Sequence, residues 1–150
     1  MRIYTRGSKS MPESLTFVDT NILAYAHDQT EMSKQSVAAA LLESLWQTRT
    51  GVISTQVLQE FYVVATRKFR PALTRAYTRA LVAAYSEWTL VQVDAPLIIE
   101  ASDLEERHQL SFWDGLILAS ARRAGASRIV SEDFQTGRRL AGVRIENPFA

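Results

Sequence analysis

Short apolar runs and longer segments of helical periodicity alternate along the chain. The short runs read as buried strands, and the segments with apolar residues every three or four positions read as amphipathic helices. The first run, Leu15-Thr16-Phe17-Val18, ends abruptly in Asp19, and Thr20-Asn21 lead into Ile22-Leu23-Ala24-Tyr25-Ala26. This predicts a strand over 15–19 and a helix from Thr20 to about Ala26. A turn over 27–30 follows, with His27 at the surface. A second helix runs from Glu31 to Gln47, with Val37, Leu41, Leu42, Leu45 and Trp46 as its apolar stripe. Thr50-Gly51 breaks it, and Val52-Ile53 forms a second strand. The third helix starts near Ser54-Thr55 and ends before Pro71; Val57, Glu60, Phe61 and Val64 share one of its faces. A fourth helix is predicted over 74–86 and a third strand over 90–93. Asp94 then caps a helix with Pro96 in its first turn, running to His108. The segment from Leu110 to Arg122 is a further helix ended by Gly125, and residues 128–130 and 143–145 are the last two strands.

Strands alternating with helices predict a parallel α/β sheet wrapped on both faces. A chain of 150 residues suits one domain with a sizeable core. We place that domain at 15–150. Residues 1–14 are polar and aperiodic, which reads as a disordered extension, a cloning remnant or a start upstream of the natural one. Composition removes several classes. There is no cysteine, hence no disulfide and no thiolate metal site. No apolar run approaches the ~18 residues of a membrane span, and no signal-like stretch follows the N-terminal basic residues, so the expected compartment is the cytoplasm. The formal net charge is +1, and lysine occurs only at Lys9, Lys34 and Lys68. Setting four acids aside in one site leaves the remaining surface at +5, and arginine suits bidentate phosphate recognition.

The candidate chemistry lies in those acids. Asp19 and Asp133 each follow a short apolar strand, while Glu60 and Asp114 sit early in helices. In a parallel sheet all four belong to the edge at the C-terminal ends of the strands, where ligands bind. Each also has a plainer reading. Asp19 is a good N-cap, Glu60 can lie at the margin of its stripe, and Ser111 to Asp114 has capping-box spacing. Glu132 and Asp133 can be first-turn acids of a short helix capped by Ser131. Four convergent carboxylates repel one another unless protonated or neutralised. With no cysteine and two scattered histidines, the donors are hard oxygens, which favour Mg2+ or Mn2+ over Zn2+.

The motifs carry a resemblance. Phe17-Val18-Asp19-Thr20-Asn21-Ile22-Leu23 resembles the first motif of PIN-domain ribonucleases. Gln59-Glu60-Phe61-Tyr62 resembles the second, Trp113-Asp114-Gly115 the third, and Ser131-Glu132-Asp133-Phe134 the fourth. Order and rough spacing agree over about residues 15–149. Short proteins of this kind look like VapC-type toxins of toxin–antitoxin pairs. The resemblance implies a five-stranded parallel sheet in order 3-2-1-4-5 and a Mg2+- or Mn2+-dependent endoribonuclease acting on RNA. It also implies a cognate antitoxin and a homodimer. Asp19, Glu60, Asp114 and Asp133 would hold the metal, with Thr20, Asn21 and Ser131 orienting the carboxylates or the water. The Ser-x-Asp pattern assigns the fourth ligand to Asp133 and leaves Glu132 solvated. Arg122, Arg138 and Arg139 are the candidate RNA-backbone contacts.

Three other classes compete. A response-regulator receiver and a dehalogenase-like phosphatase also place acids and Mg2+ at this edge, but both use a late lysine, and none follows Lys68. The phosphatase pattern also wants an acid or threonine where Asn21 stands. A catalytically silent PIN-like module that only binds protein or RNA is disfavoured by the complete acid set.

Overall fold

In the central strands neighbouring side chains point to opposite sides, yet both sides are buried. β1 (Thr16–Val18) and β2 (Gly51–Ser54) have no exposed residue, which is the pattern of a parallel sheet covered on both faces. The computed structural model describes residues 14–134 and 137–150, so the reading of the N-terminal segment lies, Ser14 apart, outside the described residues. The remaining elements are α1 (Thr20–His27), α2 (Met32–Thr48), α3 (Thr55–Arg67), α4 (Arg75–Tyr85), β3 (Thr89–Val91), α5 (Ala95–His108), α6 (Phe112–Ala124), β4 (Arg128–Val130), β5 (Arg139–Leu140) and β6 (Val143–Glu146). The sheet order is β3-β2-β1-β4-β6-β5. Its five parallel strands stand in the expected order. The sixth, β5, was not expected: it pairs antiparallel with β6 through Leu140 and Val143. Two residues are too few to leave a period-2 signal.

Side chains at the sheet centre hold the layers together. Phe17, Val52, Ile53 and Ile129 are fully buried, as are Phe61 from α3 and Leu118 from α6. Each such side chain contributes roughly 1.5–3 kcal/mol relative to exposure. The register of β1 on β4 pairs Phe17 with Ile129 and Val18 with Val130. It therefore brings the next residues, Asp19 and Ser131, side by side.

Two glycines mark close approaches. A Cβ on Gly115 would stand 2.6 Å from the Ala101 carbonyl oxygen, so α6 crosses α5 at this glycine. A Cβ on Gly51 would stand 2.5 Å from the Trp88 ring. Trp88 belongs to an aromatic cluster with Trp46 and Tyr85, with ring centroids 5.2–5.5 Å apart.

Four local readings change. The buried stripe of α2 runs through Ala38, Leu42 and Leu45, while Val37 and Trp46 are exposed. His27 is half-buried rather than at the surface: its Nε2 lies 2.9 Å from the Tyr85 hydroxyl and its ring packs on Phe61. β3 starts at Thr89 and stops at Val91, because β2 offers partners only as far as Ser54. Residues 132–134 form bends and not the short helix expected after Ser131.

Candidate active site

Helix starts assemble the site. Asp19 ends β1 and caps α1, accepting the backbone N–H of Thr20 at 2.7 Å. Ser54 ends β2 and caps α3 through the N–H of Val57, and Glu60 lies in the second turn of that helix. Ser111 caps α6 through the N–H of Asp114, at 3.0 Å. The capping reading of Asp19, and the capping spacing of Ser111 and Asp114, are therefore real. They do not compete with a functional role, since a cap residue at a sheet edge holds its carboxylate at a fixed place.

Asp19 is the best-determined group. Its second oxygen accepts the Ser131 hydroxyl at 2.8 Å across the strand pair. Thr20 donates its hydroxyl to Glu60 Oε1 at 2.6 Å, and Gln56 Nε2 donates to Glu60 Oε2 at 3.2 Å. Asn21 donates to Ser131 Oγ at 3.4 Å and accepts the backbone N–H of Glu132 at 3.2 Å. Thr20 thus touches Glu60 and Ser131 touches Asp19, while Asn21 holds Ser131 and the Glu132 backbone. Gln56 escaped the sequence reading, although its place four residues before Glu60 on α3 was the available signal.

The electrostatics record convergence. Burial pushes the Asp19 carboxyl up to about 6, against the two hydrogen bonds that favour its charge, and the Glu60 and Asp114 carboxylates add to the rise. Burial also raises Asp114, against its bond from the Ser111 cap and helped by Asp133 and Glu60. Asp19 thus lies in the fields of Glu60 and Asp114, and Asp114 in those of Asp133 and Glu60.

Glu132 stands apart from them. Its carboxylate accepts the Tyr25 hydroxyl at 2.8 Å and forms an ion pair with Lys34. The Lys34 ammonium holds the Glu132 carboxyl below the usual range. Glu132 is thus held by protein groups and not solvated, while Asp133 is exposed and senses Asp114. The arginines divide. Arg122 lies two turns beyond Asp114 on α6, about 12 Å along the axis, and pairs with Glu100 at 2.8 Å. Arg139 is exposed on β5 and donates to the Gly142 carbonyl at 3.4 Å. Arg138, also exposed, precedes it.

Whether these residues suit a metal is a question of donor type and reach. The donors are carboxylate oxygens, with the Gln56 Oε1 acceptor buried and unpaired beside them among the described residues. Among the described residues, however, no three of His, Cys, Asp and Glu stand close enough to share an ion. Asp19 and Asp114 nonetheless sense their neighbouring carboxylates. The set fits a hard divalent cation in donor chemistry, and the side chains would have to close further to share one ion. Among the described residues no helix is long and apolar enough to cross a membrane.

A family model described as PIN domain matches residues 16–141. Among solved structures, a VapC20 toxin from Mycobacterium tuberculosis, described as cleaving the sarcin–ricin loop, is 24% identical with a TM-score of 0.59; the match covers 79% of this chain and 92% of that one. A toxin–antitoxin complex from Klebsiella pneumoniae matches at 20% identity and TM-score 0.66, over 90% of this chain and 98% of that one. VapBC2 from Rickettsia felis, bound to promoter DNA, matches at 21% and 0.60, over 89% and 98%. At these identities the likeness is one of fold. No curated protein matches the sequence.

Proposed function

The chain belongs to the PIN-domain family, and on that premise we propose that it is a divalent-metal-dependent endoribonuclease, the toxin of a VapBC-type toxin–antitoxin pair. The observation that carries this reading is Asp19. Its carboxyl is fixed by Thr20 and Ser131 at the C-terminal edge of β1, inside the fields of Glu60 and Asp114. Asp19, Glu60, Asp114 and Asp133 would hold one or two Mg2+ or Mn2+ ions, supplying positive charge for the phosphate and a bound water of lowered pKa. The protein's own groups do the positioning. Ser131 and the Thr20 N–H aim Asp19, the Thr20 hydroxyl fixes Glu60, and the Ser111 cap sets the first turn carrying Asp114. With its carboxyl raised to about 6, Asp19 holds a proton in mild acid, and a bound cation would favour its ionised form.

RNA is the proposed substrate, with Arg122, Arg138 and Arg139 as the candidate backbone contacts; of these, Arg122 also pairs with Glu100 and Arg139 with the Gly142 carbonyl. We take residues 15–150 as the nuclease unit, working in the cytoplasm as a homodimer. A cognate antitoxin is proposed as partner, supported by fold neighbours solved as toxin–antitoxin complexes. The test is cleavage of RNA by purified protein with Mn2+ and with EDTA, beside Asp114→Asn. Cleavage that needs the metal and disappears in the folded variant is expected. Cleavage by Asp114→Asn, or undiminished cleavage in EDTA, would overturn the mechanism; RNA binding without any cleavage would favour the silent binding module.

A further inference from the structure

Glu132 has every polar atom engaged, and by different parts of the chain. Its backbone N–H donates to Asn21 Oδ1 on α1 at 3.2 Å. Its carbonyl accepts Asn147 Nδ2, after β6, at 3.5 Å. One carboxylate oxygen accepts the Tyr25 hydroxyl of α1 at 2.8 Å, and the other is paired with Lys34 of α2. Lys34 is itself seated on aromatic faces: its ammonium lies 4.9 Å from the Tyr25 ring centroid and 5.6 Å from that of Phe149. Those two rings meet edge-on at 5.3 Å. The pair is only partly exposed, 34% for the Lys34 side chain and 20% for Glu132, so water competes for it less than for a surface ion pair.

The neighbours of Glu132 are what give this anchor a purpose. Ser131, one residue before, donates to Asp19. Asp133, one residue after, is exposed and acts on Asp114. No regular secondary structure holds residues 131–134. The segment that supplies one acid and orients another is thus tied down by the side chain between them. A charged, hydrogen-bonded group of this kind, outside the ligand set, is how proteins usually orient metal-binding carboxylates.

We propose that Lys34, acting through Glu132 and seconded by Tyr25, is a positioning residue for the acid-bearing segment 131–134. It keeps Glu132 out of the carboxylate cluster and fixes the places of Ser131 and Asp133. The role in catalysis rests on the nuclease reading above, but the positioning itself does not. Without Lys34 the segment loses its one charged anchor, and the Glu132 carboxylate keeps only the Tyr25 hydroxyl.

The experiment compares the full chain with Lys34→Met, Lys34→Arg, Glu132→Gln and the double variant Lys34→Met/Glu132→Gln. Two readouts are taken: hydrogen exchange of the amides over 131–134, and Mn2+ affinity by calorimetry. Faster exchange in that segment is expected for both Lys34→Met and Glu132→Gln, with little change in Lys34→Arg. Mn2+ binding should weaken about ten-fold in each single variant. The double variant should be no worse than either, since both changes break one interaction. Unchanged exchange in both single variants, or additive losses in the double, would overturn the proposal. If exchange responds as expected while the parent chain binds no Mn2+, the nuclease reading fails and the positioning role stands. If the parent binds Mn2+ and cleaves RNA while the variants are indistinguishable from it, the positioning role fails and the nuclease reading stands.

Discussion

Replacing Asp19 by asparagine should stabilise the metal-free protein at neutral pH and destroy its response to metal. The Asp19 carboxyl sits at about 6 in the fold against an ordinary value of 3.8. A raised value means that the folded state holds the proton more tightly than the unfolded chain does. The associated stability is fully present below pH 3.8, shrinks as pH rises, and is lost once pH passes about 6. Above that point the ionised group costs the fold about 3 kcal/mol, taking roughly 1.4 kcal/mol per pH unit across the gap. Asparagine is nearly isosteric and neutral. Its oxygen can keep the Thr20 N–H, and the Ser131 hydroxyl can turn to accept from its amide. The assay is urea unfolding of both proteins in EDTA between pH 4 and 8, read as the difference between them. That difference removes His27, which burial holds below its ordinary 6.5 and which works in the opposite sense, losing stability as pH falls through that value. The asparagine variant should gain about 2.4 kcal/mol on the parent from pH 4 to pH 8, or roughly 5–10 °C in melting temperature at this chain length. Saturating Mn2+ should then raise the parent by about 2.7 kcal/mol at a hundred-fold excess over Kd and leave the variant unmoved. A difference curve flat with pH would refute the account of Asp19, and a variant that Mn2+ stabilises as strongly as the parent would remove it from the ligand set.

Two further tests address packing and substrate. Gly115→Ala puts a methyl 2.6 Å from the Ala101 carbonyl oxygen and should force α5 and α6 apart, at about 1–3 kcal/mol in urea unfolding; parent-like stability would show that the helices do not meet as described. Binding of Asp19→Asn protein to single-stranded RNA should weaken steeply with KCl, and Arg139→Ala should lower the log–log slope by about 0.7, the share of one phosphate contact; an unchanged slope would take Arg139 out of the interface.

Much of this protein is written in local patterns. The run Leu15 to Val18 closed by Asp19, the caps at Ser54, Asp94 and Ser111, and the stop at Gly125 all depend on neighbours within a few residues. The parallel sheet was legible from the alternation of strands and helices and its strand order from the motif resemblance, and the four acids were proposed because strand-end and helix-start positions fall on one edge of a parallel α/β sheet. Other features depend on residues far apart in sequence. Nothing local marks Lys34 as the partner of Glu132, 98 positions away, and the same charge pattern served equally well for a solvated acid. His27 read as a turn residue because its burial comes from Phe61 and Tyr85, on two other helices. Strand β5 exists only because β6 offers it an edge, and its two residues have no periodicity of their own. The partners of the acids were likewise decided in three dimensions, where Thr20 and Gln56 bond Glu60 and Ser131 bonds Asp19. Sequence determines which groups arrive at the sheet edge, since strand and helix ends are local events. Only the tertiary structure decides which of them pair with protein and which are left for a ligand, because that choice is a competition among partners that meet only in the fold.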